Sequence, residues 1–477
     1  MYKLLMICRY FLKKRVALIA VAAVSLVVML VLVVLSVMSG LVEDIKNRNH
    51  DWMGDVVISS DSMVGFGYYE EFMAELRQNE QVEAAAAVIK TFGLLSGPED
   101  ELVQLYGVKP GPWGAVTNFR AGLHYQKGSS EISFTTPPND LLTAEQRQRG
   151  CITGMYLTLR RYTSEHSKRN LPMLRSRGLS PQKFLEWPVT VMGLTERGTP
   201  IGSGLGERSI FRYIDDSDTG LVDIDMSAMY VDFDQLQQIC FMDGGDDAPP
   251  RTNEIRIRLA ENDDLEQGRT GIAAAWEKFV ARKADSRGAN LLAQTTVQSW
   301  KQYRRSSIAP MEKEKSLMIA VFAMIAVVAV FIVFAIFYMI VTEKIKDLGI
   351  IKSVGGSNWS VEQIFLGYGL LVGIIGAIIG TTLGCVIVWN SNEIESGVNS
   401  ILTWLNKVFE NWDWQYRFGG FHLWDPEVYA IERIPDVVDF TEAAIIALIA
   451  VLASVTGAML PARRAGRLQV VETLRVE

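Results

Sequence analysis

No Gly-Lys dipeptide occurs anywhere in the 477 residues. A phosphate-binding loop of the G-x-x-x-x-G-K-[ST] type needs that pair, because its lysine reaches the phosphates that the glycine-rich backbone cradles. The chain therefore holds no such nucleotide site of its own. A nucleophile elbow, G-x-S-x-G, is missing too: the stretch GSGLG at 202–206 has glycine where the serine would stand. Metal-ligating residues are sparse. The four histidines (His50, His124, His166, His422) and four cysteines (Cys8, Cys151, Cys240, Cys385) show neither H-x-x-x-H nor C-x-x-C spacing, so no metal site is expected. Cys151 and Cys240 can be read as a disulfide in an oxidising compartment or as two buried thiols, and the sequence leaves both open. Positive charge is also short. Lys and Arg number 47 against 54 Asp and Glu, a net charge of −7, which offers no general basic surface for nucleic acid. Adjacent carboxylates at Asp215-Asp216 and Asp263-Asp264 read as turn residues rather than an acid/base pair.

What is abundant is apolar sequence, 49% of the chain against 21% charged. That mixture fits a membrane protein with a large water-exposed part. Residues 16–38 carry no charge and exceed the ~20 residues that cross a hydrocarbon core. The run is too long for the apolar region of a signal peptide and no A-x-A site follows it, so it reads as an uncleaved anchor. Further uncharged runs at 316–342, 363–390 and 443–460 predict spans, drawn at 316–342, 361–390 and 440–460. Lys3, Arg9, Lys13, Lys14 and Arg15 precede the first span. Lys344, Lys346 and Lys352 separate the second from the third, and Arg463, Arg464, Arg467 and Arg475 follow the fourth. The remaining short loop, 391–439, is acidic. All basic clusters thus fall on one side, which the positive-inside rule makes cytoplasmic.

The expected architecture is a membrane protein with four transmembrane helices, arranged 1+3, and a large extracytoplasmic α+β domain between the first two. Its parts are a basic cytoplasmic N-terminus (1–15), the first span (16–38), the external domain (39–315) and the second span (316–342). A cytoplasmic helix (343–360), the third span (361–390), an external Trp-rich loop (391–439), the fourth span (440–460) and an amphipathic cytoplasmic tail (461–477) follow. Stretches such as GDVVISS, NEIRIRLA and MYVDFDQLQQI read as strands, the last running into a helix. The Trp-rich loop, with Trp404, Trp412, Trp414 and Trp424, suits either a helix on the membrane surface or a small packed hairpin. In the third span Gly369, Gly373, Gly376, Gly380 and Gly384 leave room for close helix approach, three of them recurring every four residues.

Several ordered stretches resemble the FtsX/MacB superfamily of ABC-transporter permeases, and within it the lipoprotein-releasing LolC/LolE type. The most specific is TEKIKDLGIIKSVGG. Its Glu343, Lys344, Asp347, Gly349, Lys352 and Gly355 match the family's run E-K-x-x-D-I-G-I-L-K-x-x-G-A, with Lys346 beside them and Gly356 departing where alanine is usual. Met38, Ser39 and Gly40 resemble the family's exit from its first span. PARRAGRLQVVETLR resembles its C-terminal segment, although Val470 and Thr473 depart from the pattern.

The resemblance implies a non-enzymatic permease subunit in the inner (cytoplasmic) membrane with both termini cytoplasmic. ATP and Mg would be bound by a separate LolD-like ATPase, whose groove receives the 343–360 helix. It also implies a second permease subunit, as homodimer or heterodimer, membrane lipid as surroundings and a periplasmic lipoprotein carrier. The cargo would sit near the outer ends of spans one and two. The alternatives are an FtsX-like mechanotransmitter acting on an extracytoplasmic partner, a MacB-like efflux permease, or an anchored external enzyme or sensor. The absent catalytic motifs weigh against the last.

Overall fold

The computed structural model describes residues 15–96, 100–129, 131–135, 149–158, 186–195, 197–200, 206–244, 248–260, 264–343, 350, 352–353, 355, 357–408 and 437–467. They fall into two units, one of Ile45–Ile308 and one of Met1–Asp44 with Ala309–Glu477.

Among the described residues, the Ile45–Ile308 unit is built on eleven strands. They are β1 (Val56–Ser60), β2 (Phe66–Gly67), β3 (Val82–Leu95), β4 (Glu101–Val108), β5 (Gly150–Gly154), β6 (Glu186–Val191), β7 (Glu207–Ser217), β8 (Ala228–Asp232), β9 (Arg251–Thr252), β10 (Glu254–Leu259) and β11 (Thr295–Ser299). Nine form a mixed sheet in the order β11-β1-β10-β3-β4-β8-β5-β7-β6, and β6 pairs back onto β3. Six strands, β3, β4, β8, β5, β7 and β6, therefore close into a ring. The long β3 makes closure possible: Val82–Val88 pair with β10 on one side, and Gly93–Leu95 pair with β6 on that same side while β4 runs along the other.

At the point of closure β3 carries Gly93. A Cβ there would stand 2.4 Å from Val189 Cγ1 and 2.6 Å from Leu105 Cδ1, so the ring can draw shut only on a residue without one. Val103, Leu105, Val189, Phe211, Tyr213 and Met229 belong to the core of the ring; Val189 and Phe211 alternate with more exposed neighbours, whereas Met229 lies between buried Ala228 and Tyr230.

Local chemistry sets the helix starts. Asp232 ends β8 and its carboxylate accepts from the Asp234 and Gln235 amides, both at 3.1 Å, opening helix Phe233–Ile239. Asp264 opens helix Leu265–Arg282 by accepting from Glu266 N at 2.9 Å, and Ser299 with Gln302 forms a capping box at the end of β11.

A second core holds a buried arginine. Arg256 is fully buried, lies over the rings of Trp52 and Trp113 at 4.3 and 4.9 Å, and pairs with Glu254 at 3.0 Å. Burial alone would raise the Glu254 carboxyl, but Arg256, Lys90 and the Tyr303 hydroxyl hold it below the usual carboxylate range. Nearby, Arg304 donates to Asn49 Oδ1 and to Asp223 Oδ2, both at 2.7 Å, so the chain's entry into this unit is fastened to its exit.

Among the described residues, four helices are long and apolar enough to cross a membrane, each lying wholly or mostly in the other unit: Arg15–Met53, Arg305–Glu343, Asn358–Trp389 and Phe440–Arg467. Three of them clearly outrun the expected spans, the second by starting at Arg305 rather than 316 and running through Pro310. The first continues past residue 38 to Met53, because GLVEDIKNRNHDWM contains no proline and only one glycine to stop it. The fourth passes through Pro461 to Arg467 instead of ending at 460. A proline inside a helix deprives one carbonyl of its donor, which a packed neighbour or a locally adjusted helix tolerates. Of the loop at 391–439, Ser391–Val408 is helical and contains Trp404, while Trp412, Trp414 and Trp424 lie outside the described residues. So do residues 1–14 and 468–477.

Candidate functional site: the helix bundle and its polar ends

The helix Asn358–Trp389 is the centre of the bundle, and its glycines determine what reaches it. Cβ atoms at Gly369 and Gly373 would stand 2.7 Å from Ala458 Cβ and 3.0 Å from Ser454 Cβ, so these two receive the fourth helix. Ser454 Oγ also donates to the Gly369 carbonyl at 2.9 Å. Gly376, Gly380 and Gly384 face the first helix: the nearest atoms would be Val24 Cγ1 at 2.8 Å, Ser25 O at 2.6 Å and Leu32 Cδ2 at 2.7 Å. The five glycines thus serve two partners, not one. On the fourth helix, Gly457 admits Val330 O and Val333 of the second helix at 2.9 and 3.0 Å, which draws that helix in as well.

Of the element expected at 343–360, Glu343 is the last residue of helix Arg305–Glu343, while Lys344, Lys346, Asp347 and Gly349 lie outside the described residues. Lys352 donates from Nζ to the Gly466 carbonyl at 2.6 Å, which ties this element to the last turn of the fourth helix. Partial burial lowers the Lys352 ammonium from its ordinary value. Gly355 has φ +99°, a conformation that L side chains rarely adopt, and Ser357 then caps the third helix by accepting from Ser360 N at 3.2 Å.

Met38, Ser39 and Gly40 lie inside the first helix, without a break there. Ser39 has a definite partner: its Oγ donates to Glu442 Oε2 at 2.9 Å, and the other oxygen of Glu442 accepts from Lys315 Nζ at 3.0 Å. One residue from each of the first, second and fourth helices meets there. These three stand at one end of a cavity of about 460 Å³ lined by the same three helices, through Leu35, Ile319, Phe322, Ala326, Ile446 and Ile449 among others. Among the described residues, Lys315 and Glu442 are the only charged groups in its lining. Sequence reasoning passed over both, although Lys315 ends the charged stretch EKEK directly before one uncharged run and Glu442 stands directly before another, and that position is the signal by which they were findable.

In the other unit the carboxylate pairs serve the backbone. Asp215 accepts from the amides of His124, Tyr125, Gln126 and Asp216 at 2.7–3.2 Å, which fixes the 124–126 loop. Asp264 is the helix cap described above, and Asp263 lies outside the described residues. Cys151 and Cys240 are free, buried thiols, both pushed above the ordinary thiol value by burial. Among the described residues no cluster of three or more His, Cys, Asp or Glu is placed to hold a metal ion.

Residues 319–416 match the family described as FtsX-like permease C-terminal, a stretch that contains the second helix from Ile319 onward, the third helix and the element between them. The chain is 28% identical over 181 residues to the lipoprotein-releasing system transmembrane protein LolC of Neisseria meningitidis serogroup B, covering 38% of this chain and 40% of that protein. It is 26% identical over 260 residues to LolC of Xylella fastidiosa, 54% of each chain. To LolE of Haemophilus influenzae it is 25% identical over 136 residues, 28% of this chain and 29% of that one. It thus spans about half or less of the length of these relatives. The crystal structure of the periplasmic region of MacB from Actinobacillus actinomycetemcomitans aligns with 55% of this chain and 97% of that one, at 11% identity and a TM-score of 0.28.

Proposed function

From the match of residues 319–416 to the FtsX-like permease C-terminal family and the similarity to LolC and LolE, we propose that the chain is the transmembrane subunit of an ABC transporter that extracts lipoproteins from the cytoplasmic membrane and releases them. Four helices cross that membrane, both termini and the 343–360 element are cytoplasmic, and the Ile45–Ile308 unit is extracytoplasmic. ATP and Mg are bound by a separate LolD-like ATPase. A second permease subunit completes the transporter, and a periplasmic carrier receives the cargo.

The observation that carries this reading is the apolar cavity lined by three helices of one subunit. A chain whose helices only anchor a domain has no use for a chamber between them. Its walls suit a lipid acyl chain, and its polar end suits the point where that chain meets a headgroup or peptide. The hydrogen bond from Lys352 to Gly466 supports the coupling role of the 343–360 element. A load applied to that element is shared between the connection it forms and the fourth helix, which packs on the third through Gly369 and Gly373.

The test is co-purification of the full chain with a LolD-like ATPase, comparing wild type with Lys344→Glu/Asp347→Lys. Reversing both charges should reduce ATPase retention, or hydrolysis coupled to the permease, by about tenfold, as for charges at a docking interface. Normal retention together with normal coupling in the variant would show that the element does not dock the ATPase.

A further inference from the structure

The apolar surface of the third helix does not stop at that helix's end. Ile379, Leu383, Val386 and Trp389 are exposed along one side of it. Asn390 ends the helix with φ −109° and ψ 20°. Even so, its amide donates to the Val386 carbonyl at 3.2 Å and its carbonyl accepts from the Ile394 amide at 2.9 Å. A single residue off helical geometry therefore joins the third helix to helix Ser391–Val408, and no loop intervenes. Steps of three and four from Val386 reach Asn390, Ile394, Gly397, Ile401 and Trp404, so the stripe carries on into the next helix. Ile394, Ile401 and Trp404 are 44, 59 and 61% exposed.

Over Asn392–Leu402 and at Trp404 the two faces of this helix do not mix. At about 100° per residue, Ile394, Gly397, Val398, Ile401, Leu402 and Trp404 share an arc of roughly 160°. Asn392, Glu393, Glu395, Ser396, Asn399 and Ser400 share the opposite arc. Two limits then place the helix. The third helix is uncharged from Gln363 to Trp389, a length of about 40 Å that already exceeds a hydrocarbon core of about 30 Å. Ser391–Val408 thus begins at the far surface of the bilayer, and Glu393 and Glu395 keep it out of the core. Standing off that surface would leave the exposed arc in water. It would also carry Trp404 about 20 Å from Trp389, although both rings favour the interface.

We propose that helix Ser391–Val408 lies flat in the extracytoplasmic headgroup region of the membrane that the third helix spans. Ile394, Ile401 and Trp404 rest against phospholipid acyl chains, and the polar arc faces water. This seat rests on the third helix being a span, not on what the permease moves.

The experiment uses the full chain in phospholipid vesicles, with a nitrobenzoxadiazole fluorophore on single introduced cysteines. The unsubstituted chain, labelled in parallel, gives the background of its four native cysteines. A nitroxide near the headgroup end of a phospholipid acyl chain is compared with an aqueous reductant, dithionite. At Ile394→Cys and Ile401→Cys the nitroxide should quench about threefold more strongly than at Ser396→Cys and Ser400→Cys, and dithionite should react about threefold more slowly, as for a helix with one face in lipid.

Equal dithionite rates at all four positions, with no nitroxide quenching, would overturn the seat by placing the whole helix in water. Slow dithionite reaction at Ile394→Cys and Ile401→Cys without nitroxide quenching would overturn it too, by showing that the stripe is covered by protein, either the segment that follows or a second copy. Ile379→Cys reports on the span separately, because a nitroxide deep in the acyl chain should quench there more strongly than the shallow one. Failure at Ile379→Cys removes the span and the seat with it, whereas failure at the other positions alone removes only the seat.

Discussion

Asp225 shows how much one side chain can load onto a fold. Burial pushes its carboxyl up to about 7, against the opposing effect of the Thr219 amide and hydroxyl, which donate to it at 2.9–3.1 Å. The native state therefore holds a proton that the unfolded chain has already lost above its ordinary value of 3.8. The stability linked to that proton is fully present below about pH 4 and is lost as the pH rises through about 7. An asparagine side chain in its place would keep an oxygen for the Thr219 amide without the charge. Asp225→Asn is thus expected to gain on the order of 2 kcal/mol over wild type at pH 8 and little at pH 4. Unfolding of the full chain by denaturant at both values checks this, and an equal gain at each pH would refute it. Nothing in the sequence singles out Asp225 among the acids of DDSDTGLVDID, since burial decides its behaviour and burial is a property of the assembled sheet. By contrast, the capping of Asp232 and Asp264 is local, lying within three residues in each case.

At the scale of single elements, the glycine period of the third helix was open to reading because it is written at intervals of four in one segment. Which helix meets which glycine was not, because a small-residue face accepts any neighbour. The structure divides them between two helices, and this makes substitutions unequal. Gly380→Val would drive its side chain toward Ser25 O, a backbone atom that cannot swing aside, and is expected to destabilise the bundle by ~1–3 kcal/mol. Gly397→Ala, where an added Cβ meets nothing within 4 Å, should be neutral or stabilise helix Ser391–Val408 by up to about 1 kcal/mol. Thermal denaturation in one detergent compares the two, and similar midpoints would contradict the packing described. Helix ends were less legible than helix interiors. A count of apolar residues trims charges from the ends of a span, so it cut the first helix at 38, began the second after Lys315, and gave Glu442 no role although the expected fourth span contains it. Likewise, the contact from Lys352 to Gly466 joins positions 114 residues apart, beyond the reach of any local pattern.

Across the whole molecule, the four apolar helices and the α/β character of the long insertion could be read from composition and alternation. The order of its strands could not, because six of them pair across long sequence separations to close the ring. For the chain's activity, the lipoprotein-release and mechanotransmitter readings differ in one outcome. Depletion of the protein, followed by fractionation of inner and outer membranes, should leave lipoproteins retained in the inner membrane by about tenfold over the undepleted cell, the scale of a lost ATP-driven step. Correct sorting after depletion would favour the mechanotransmitter. The ring has a different consequence. Every one of its six strands already has a hydrogen-bonded neighbour on both sides. Among the described residues, a foreign peptide seeking to lengthen the sheet by adding itself to an edge therefore meets a ring in which each strand is already paired along part of both sides, so a protein that engages this part of the molecule is better served by side chains on its outer faces than by an added strand.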